Sequence, residues 1–256
     1  MTDLAGMRIL LSNDDGIDAP GLKCLERVAS KLSEDVWIVA PERDQSGVSH
    51  ALSLSDPVRY RSLGDRKFAV EGTPTDSVLL GILKLIPPPR PNLLLSGVNR
   101  GGNLGDDVTY SGTVAAAMEG TLLGIPSIAL SQYTVQRENA KWATAENYAP
   151  DLIRRLVTIG WSSDVLMNVN FPDVSEGKVG GVSVAYQGRG KPGSVLERRV
   201  DVRGRDYYWI GSTRTNESVS DGSDLSEILA GRITVTPLHM NLTDQEAYES
   251  LSKTLK

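Results

Sequence analysis

Between Met7 and about Leu130 the chain alternates short apolar runs with longer segments of helical spacing, and this alternation constrains the fold more than any other feature. Strands buried on both faces read as unbroken stretches of Val, Ile and Leu, and crossover helices between them build a parallel sheet. Four runs fit: Met7–Leu11 (MRILL), Val36–Ala40 (VWIVA), Asn92–Ser96 (NLLLS) and Pro126–Ser131 (PSIALS), all bounded by Gly, Pro, Asn or Asp. Between them, Gly21–Leu32, Pro74–Leu85 and Gly112–Leu123 carry helical apolar spacing. Pro74 suits a first helical turn, and the Pro87–Pro89 run ends that helix. The expected fold is α/β, a mainly parallel sheet flanked by helices.

A long helix over Asn139–Ile159 and a strand at Val165–Val169 complete a core expected to span residues 1–172. After Phe171-Pro172 the pattern changes. Gly177–Ser220 is rich in Gly, Arg and alternating residues (VGGVSVAYQG, RRVDVRGRDYYWIG), the signature of extended hairpins. Isolated hairpins are only marginally stable, so they are expected to pack on a partner subunit. Residues 173–256, with a return strand at Arg232–Pro237 and a terminal helix at Thr243–Leu255, are thus expected to serve oligomerisation rather than form an independent domain.

Composition removes several classes of function. With 27 Lys+Arg against 32 Asp+Glu, a net charge of −5, there is no basic face to displace phosphate counterions, which argues against a nucleic-acid scaffold. The lone Cys24 can form neither an internal disulfide nor a Cys-rich zinc site and fits a reducing compartment. The opening MTDLAG is acidic where a signal peptide is basic, and no apolar stretch approaches the ~20 residues of a membrane span, so the expected location is the cytoplasm. Two histidines, His50 and His239, are too few for a His-rich metal centre; any metal must lean on oxygen ligands.

The chemistry gathers where the runs end. The first runs into Ser12-Asn13-Asp14-Asp15-Gly16, and in open α/β sheets ligands bind beyond the carboxyl ends of strands. Adjacent carboxylates raise one another's pKa unless a cation sits between them, and oxygen donors select Mg²⁺, Mn²⁺ or Ca²⁺. A turn with a capping Asp is the plainer alternative, but a turn needs only one. The second run leads to Pro41-Glu42-Arg43-Asp44-Gln45-Ser46-Gly47, where Ser46 suits either a metal or an ordinary turn. The third gives Ser96-Gly97-Val98-Asn99-Arg100-Gly101-Gly102-Asn103, and Ser111-Gly112-Thr113 then opens a small-residue helix whose free N–H groups suit phosphate as well as they suit simple capping. What favours a site is the convergence of three strand ends at one sheet edge. Gly188-Arg189-Gly190-Lys191-Pro192-Gly193 satisfies G-x-G-x-x-G but leads into a strand-like segment, so it is not read as a Rossmann phosphate loop. No Walker A sequence or G-x-S-x-G elbow is present. His239, with no triad partner nearby in sequence, is read as structural.

Taken together, SNDDG, APERDQSGVSH, EGTPTDSV, SGVNRGGNLGDDVTYSGTVAAAMEG and the later VTPLH resemble the SurE family, metal-dependent 5′/3′-nucleotidases, in family order from residue 9 to about 239. The resemblance implies a Rossmann-like core and hydrolysis of nucleoside monophosphates by metal-assisted attack of water, with 3′-nucleotides and short polyphosphate as further substrates to test. It implies one divalent cation per subunit, Mg²⁺ or Mn²⁺, on Asp14, Asp15, Ser46 and Asn99, with Asp14 and Asp15 as the catalytic carboxylates. Phosphate falls on Asn103, Ser111, Gly112 and Thr113. It also implies a homodimer or homotetramer built by exchange of C-terminal segments. Thr75 and Ser77 stand where members often have Ala and Cys, and Ala115 where Gly is common; these departures bear on base preference.

Overall fold

The structure is a computed structural model that describes residues 3–136, 140–190, 195–211 and 219–255. Its strands are β1 (Ile9–Ser12), β2 (Val36–Pro41), β3 (Arg59–Gly64), β4 (Lys67–Glu71), β5 (Leu93–Arg100), β6 (Ser127–Gln132), β7 (Val165–Phe171), β8 (Val182–Val184), β9 (Leu196–Val200), β10 (Asp206–Ile210) and β11 (Ile233–His239). Among the described residues six α-helices accompany them: α1 (Pro20–Ser30), α2 (Pro74–Leu80), α3 (Gly112–Leu122), α4 (Trp142–Ile159), α5 (Asp224–Leu229) and α6 (Gln245–Thr254).

Nine strands form one mixed sheet in the order β3-β4-β2-β1-β5-β6-β7-β11-β8. From β4 to β7 every neighbour is parallel; β3 and β11 run antiparallel to β4 and β7. Side chains alternate across a strand, so β1 sends Ile9 and Leu11 to one face and Leu10 to the other. The first face packs on Leu22, Leu25 and Val28 of α1 and on Ala145, Ala149 and Ile153 of α4. The second packs on Val78 of α2 and on Val114, Ala116 and Ala117 of α3. Covering on both faces is why β1 is apolar without alternation.

Strand order reverses at β1. The chain leaves β1 through α1 to β2 on one side, whereas β5 lies on the other. A crevice opens at such a switch point beyond the carboxyl ends of the two strands, here where β1 runs into Asn13-Asp14-Asp15 and β5 ends at Asn99-Arg100.

The structure departs from the sequence expectations in five places. β3 and β4 were not foreseen: β3 (RYRSLG) is exposed throughout, so it has no apolar period to read. The Pro74–Leu85 helix is α-helical only to Leu80 and continues as a π turn over Gly81–Leu85. β5 extends four residues beyond Ser96, through a stretch whose Gly and Asn argue locally against a strand. Among the described residues of Gly177–Ser220 only β9 and β10 form a hairpin, while β8 joins the main sheet parallel to β11. α4 begins at Trp142, and Asn139 lies outside the described residues. Among the described residues no helix is long and apolar enough to cross a membrane.

Candidate active site at the switch point

A cavity of about 460 Å³ lies beyond β1 and β5, and Asp14, Ser46, Asn99, Asn103 and Ser111 all line it. Arg100, Asp107, Tyr110 and Tyr133 line it too. Asp15 borders a smaller neighbouring hollow with Asp44 and Arg100. Gly112 and Thr113 do not line the main cavity; both are buried in the wall beneath it.

Each side chain is held in place. The loop behind β1 closes with Asn13 Nδ2 donating to the Gly16 carbonyl at 2.9 Å, and the Asp14 carbonyl accepts from Gln45 N at 2.8 Å, which ties this loop to the Ser46 segment. Ser49 Oγ donates to the Thr109 carbonyl at 2.7 Å, and His50 Nε2 meets the mostly buried Glu119 carboxylate at 3.0 Å. These contacts pin the segment on both sides of Ser46.

Ser46 Oγ donates its proton to Asp44 Oδ1 at 2.6 Å, which leaves its lone pairs for another partner. Asn99 Nδ2 donates to the Gly101 carbonyl at 2.9 Å, so the amide oxygen remains the group open to a cation. Thr113 Oγ1 donates to Asp14 Oδ1. Arg100 N donates to Asp15 Oδ2 at 3.3 Å. Burial pushes the Asp14 carboxyl up to about 6; the Thr113 hydroxyl pulls it down, and the charges of Asp15 and Asp44 add to the rise. Such a carboxylate gains from a nearby cation.

Among the described residues no three His, Cys, Asp or Glu side chains cluster tightly enough to hold a metal by themselves. The candidate donors are instead two carboxylates, a hydroxyl whose proton points to Asp44 and an amide oxygen, all hard oxygens. That set fits Mg²⁺ or Mn²⁺.

Ser111 caps α3, its Oγ accepting from Val114 N at 3.0 Å, while the N–H groups of Gly112 and Thr113 in the first turn have no intrahelical acceptor. The glycine at 112 is needed here because a Cβ would stand 2.7 Å from Asp14 Cβ and 3.1 Å from Pro74 Cγ. On the other wall, Asn103 Nδ2 donates to Ser131 Oγ at 2.8 Å, and the Asn103 carbonyl accepts from Asn168 and Asn170.

The model of the family described as Survival protein SurE matches residues 9–193. The chain belongs to the SurE family. It is 52% identical over 251 residues to the 5′-nucleotidase SurE of Paramagnetospirillum magneticum, covering 98% of this chain and 96% of that one. Identity to the 5′-nucleotidase SurE of Caulobacter vibrioides is 54% over 253 residues, covering 97% and 96%. The crystal structure of the SurE protein from Aquifex aeolicus superposes with a TM-score of 0.85 at 36% identity, over 97% of this chain and all of that one.

Sequence reasoning on this SurE chain missed the contacts that act from behind. Asp44 sits two positions before Ser46, a spacing that by itself signals an Asx turn. Thr113 serves Asp14, and its hydroxyl is therefore already committed. Tyr110 and Tyr133 carry no local signal because their place depends on the packing of distant elements. His239 lies at the opposite edge of the sheet, paired in register with Val165 at the start of β7 and bonded to Asp164 at 2.8 Å, in keeping with a structural role.

Proposed function

We propose that this chain is a 5′-nucleotidase, a phosphomonoester hydrolase that converts nucleoside monophosphates to nucleoside and phosphate. The observation that carries the reading is the meeting of Asp14, Ser46, Asn99, Asn103 and Ser111 around one cavity at the switch point of the sheet. The names of its SurE relatives support it.

In this reading Asp14, Asp15, Ser46 and Asn99 hold one Mg²⁺ or Mn²⁺ per subunit. A divalent cation bound there supplies Lewis-acid polarisation of a phosphate oxygen and of a water. The residues do the rest. Asn103 and the first turn of α3, Ser111 to Thr113, hold the remaining phosphate oxygens, and the helix dipole favours their charge. Thr113 fixes one oxygen of Asp14, so that carboxylate presents a set orientation. Asp14 or Asp15 orients the attacking water and accepts its hydrogen bond. The cavity is of ordinary ligand-site size, and Tyr110 and Tyr133 offer the nucleoside two aromatic surfaces.

We assign the exposed β9–β10 hairpin and α6, which has no buried residue, to subunit contacts in a homodimer or homotetramer. The cytoplasm suits a chain whose one cysteine, Cys24, is a buried thiol pushed up to about 11 by burial.

Phosphate release from AMP, GMP, a 3′-nucleotide and short polyphosphate, measured with Mn²⁺, Mg²⁺ or EDTA, tests the reading. Turnover of nucleoside monophosphate that EDTA abolishes and either ion restores is expected. Full activity in a metal-free preparation overturns the metal assignment, and no release from any nucleotide overturns the function.

A further inference from the structure

Asp224, at the start of α5, is completely buried, and no ion pair to it forms among the described residues. A buried carboxylate is costly unless hydrogen-bond donors replace the water it gave up. Backbone N–H groups do so here: Asp224 Oδ2 accepts from Gly105 N at 2.8 Å, and Oδ1 accepts from Gly188 N and Leu225 N, each at 2.8 Å. One carboxylate thus joins three segments distant in sequence.

Two of those segments flank the exposed β9–β10 hairpin, since Gly188 precedes it and Asp224 follows it. The third, Gly105, belongs to the loop that leaves β5 and carries Asn103. The same arm grips this loop elsewhere. Gln187 Nε2 donates to the Gly105 carbonyl at 3.0 Å, and Gly190 N donates to Asp106 Oδ2 at 3.0 Å. Leu225 and Ile228 of α5 pack on Leu104 and on Tyr133, which lines the cavity. Both backbone polar groups of Gly105 are therefore held from behind by the arm, while Asn103 is held in front by Ser131, Asn168 and Asn170.

We propose that Asp224 is a positioning residue for phosphate binding, the tie through which the base of the β9–β10 arm sets the Asn103–Gly105 loop against the substrate. The inference rests on the reading of Asn103 as a phosphate group. Asp224 touches no substrate; it acts through the Gly105 N–H. Asp224→Asn keeps the shape but turns one acceptor oxygen into an N–H donor, which faces either the Gly105 N–H or the pair on Gly188 and Leu225. Gln187→Ala releases the Gly105 carbonyl, the other backbone group of the same residue, from a partly exposed position and leaves the buried core untouched.

The experiment compares the parent with Asp224→Asn, Gln187→Ala and Asn103→Ala. It reads KM for AMP, competitive inhibition by inorganic phosphate, Mn²⁺ affinity and Tm. In Asp224→Asn, the KM and the phosphate inhibition constant are expected to rise together, about tenfold, the effect of losing one charge-assisted hydrogen bond. Gln187→Ala is expected to move both in the same direction by a smaller factor. Mn²⁺ affinity should stay near that of the parent, because Asp14, Ser46 and Asn99 lie on other segments.

If Asp224→Asn does not fold, Gln187→Ala decides alone. Unchanged phosphate inhibition in the folded variants, with Asn103→Ala impaired, overturns the role of Asp224 and leaves the site reading intact. Unchanged inhibition in Asn103→Ala removes the site reading and this inference with it. A parallel loss of Mn²⁺ affinity and phosphate binding marks general damage and also overturns the proposal.

Discussion

Replacing Asp14 by Asn removes a charge from the centre of the site while keeping its shape, and the burial of that charge sets the size of the effect. Asp14 is 4% exposed, and burial raises its pKa from the ordinary 3.8 to about 6. At ~1.36 kcal/mol per pH unit, ionising it in the folded, metal-free protein costs roughly 3 kcal/mol. Because the folded pKa lies above the unfolded one, the native state keeps the proton longer. Its contribution to stability is therefore greatest below pH 3.8, declines as pH rises towards about 6, and stays low above that. Asn carries no charge to desolvate, and its Oδ1 still accepts from Thr113. In EDTA at pH 8 Asp14→Asn is expected to be more stable than the parent by up to about 3 kcal/mol, or roughly 6–12 °C in Tm for a chain of this length. The advantage should vanish near pH 4.

Excess Mn²⁺ should reverse the order at pH 8. Binding to the native state alone stabilises it by mass action, and only the parent keeps the full donor set. Hydrolysis of AMP by the variant should fall drastically. Thermal melts followed by circular dichroism at pH 4, 6 and 8, with EDTA or with Mn²⁺, measure every part of this. A variant less stable than the parent in EDTA at pH 8, or a difference that does not change with pH, would refute the reasoning from burial.

Three further outcomes are expected. Gly112→Ala places a Cβ 2.7 Å from Asp14 Cβ and 3.0 Å from its Oδ2; overpacking of this kind costs about 1–3 kcal/mol, and displacement of the carboxylate should lower kcat for AMP by about 10- to 100-fold. Truncation after Pro172 removes β11 from beside β7 and uncovers a central strand edge, so the product should aggregate; a soluble, active truncation contradicts the account of the fold. Trp209→Asp, at a side chain 63% exposed on β10, should shift the sedimentation profile towards a smaller species while the far-ultraviolet spectrum is kept. An unchanged profile removes β10 from the proposed subunit contact.

The core was legible because its signals are local. β1, β2, β6 and β7 are short, mostly apolar runs, and burial on both faces removes the polar alternation of a half-exposed strand; among their buried polar residues, Ser131, Asn168 and Asn170 cluster around Asn103. α3 was legible from Ser111, which caps it, and α1 from its amphipathic spacing. β3 was not, because its residues are exposed and its pairing with β4 is decided across the sheet. The continuation of β5 through Gly97 and Asn99 was hidden for a related reason. Its partners on β6, Ser131 and Gln132, resume the ladder after an irregularity that no local propensity encodes.

The residues proposed to hold the metal and phosphate could be read as candidates because they stand in short polar motifs that follow apolar runs or open a helix. The contacts that hold them could not be read, because they span long sequence separations. Thr113 reaches Asp14 across 99 positions, and Asp224 reaches Gly105 across 119. This division has an energetic side. A site that gathers Asp14, Asp15 and Asp44 without a compensating cation destabilises the chain around it, so the surrounding structure must hold the donors before any ligand arrives. Sheet pairing fixes the ends of β1 and β5, Thr109 and Glu119 fix the Ser46 segment, and the carboxyl-terminal third, through Asp224 and Gln187, fixes the loop that carries Asn103. Through the last of these ties the segment beyond Pro172 holds the Asn103–Gly105 loop in place, although among the described residues none beyond Pro172 lines the cavity.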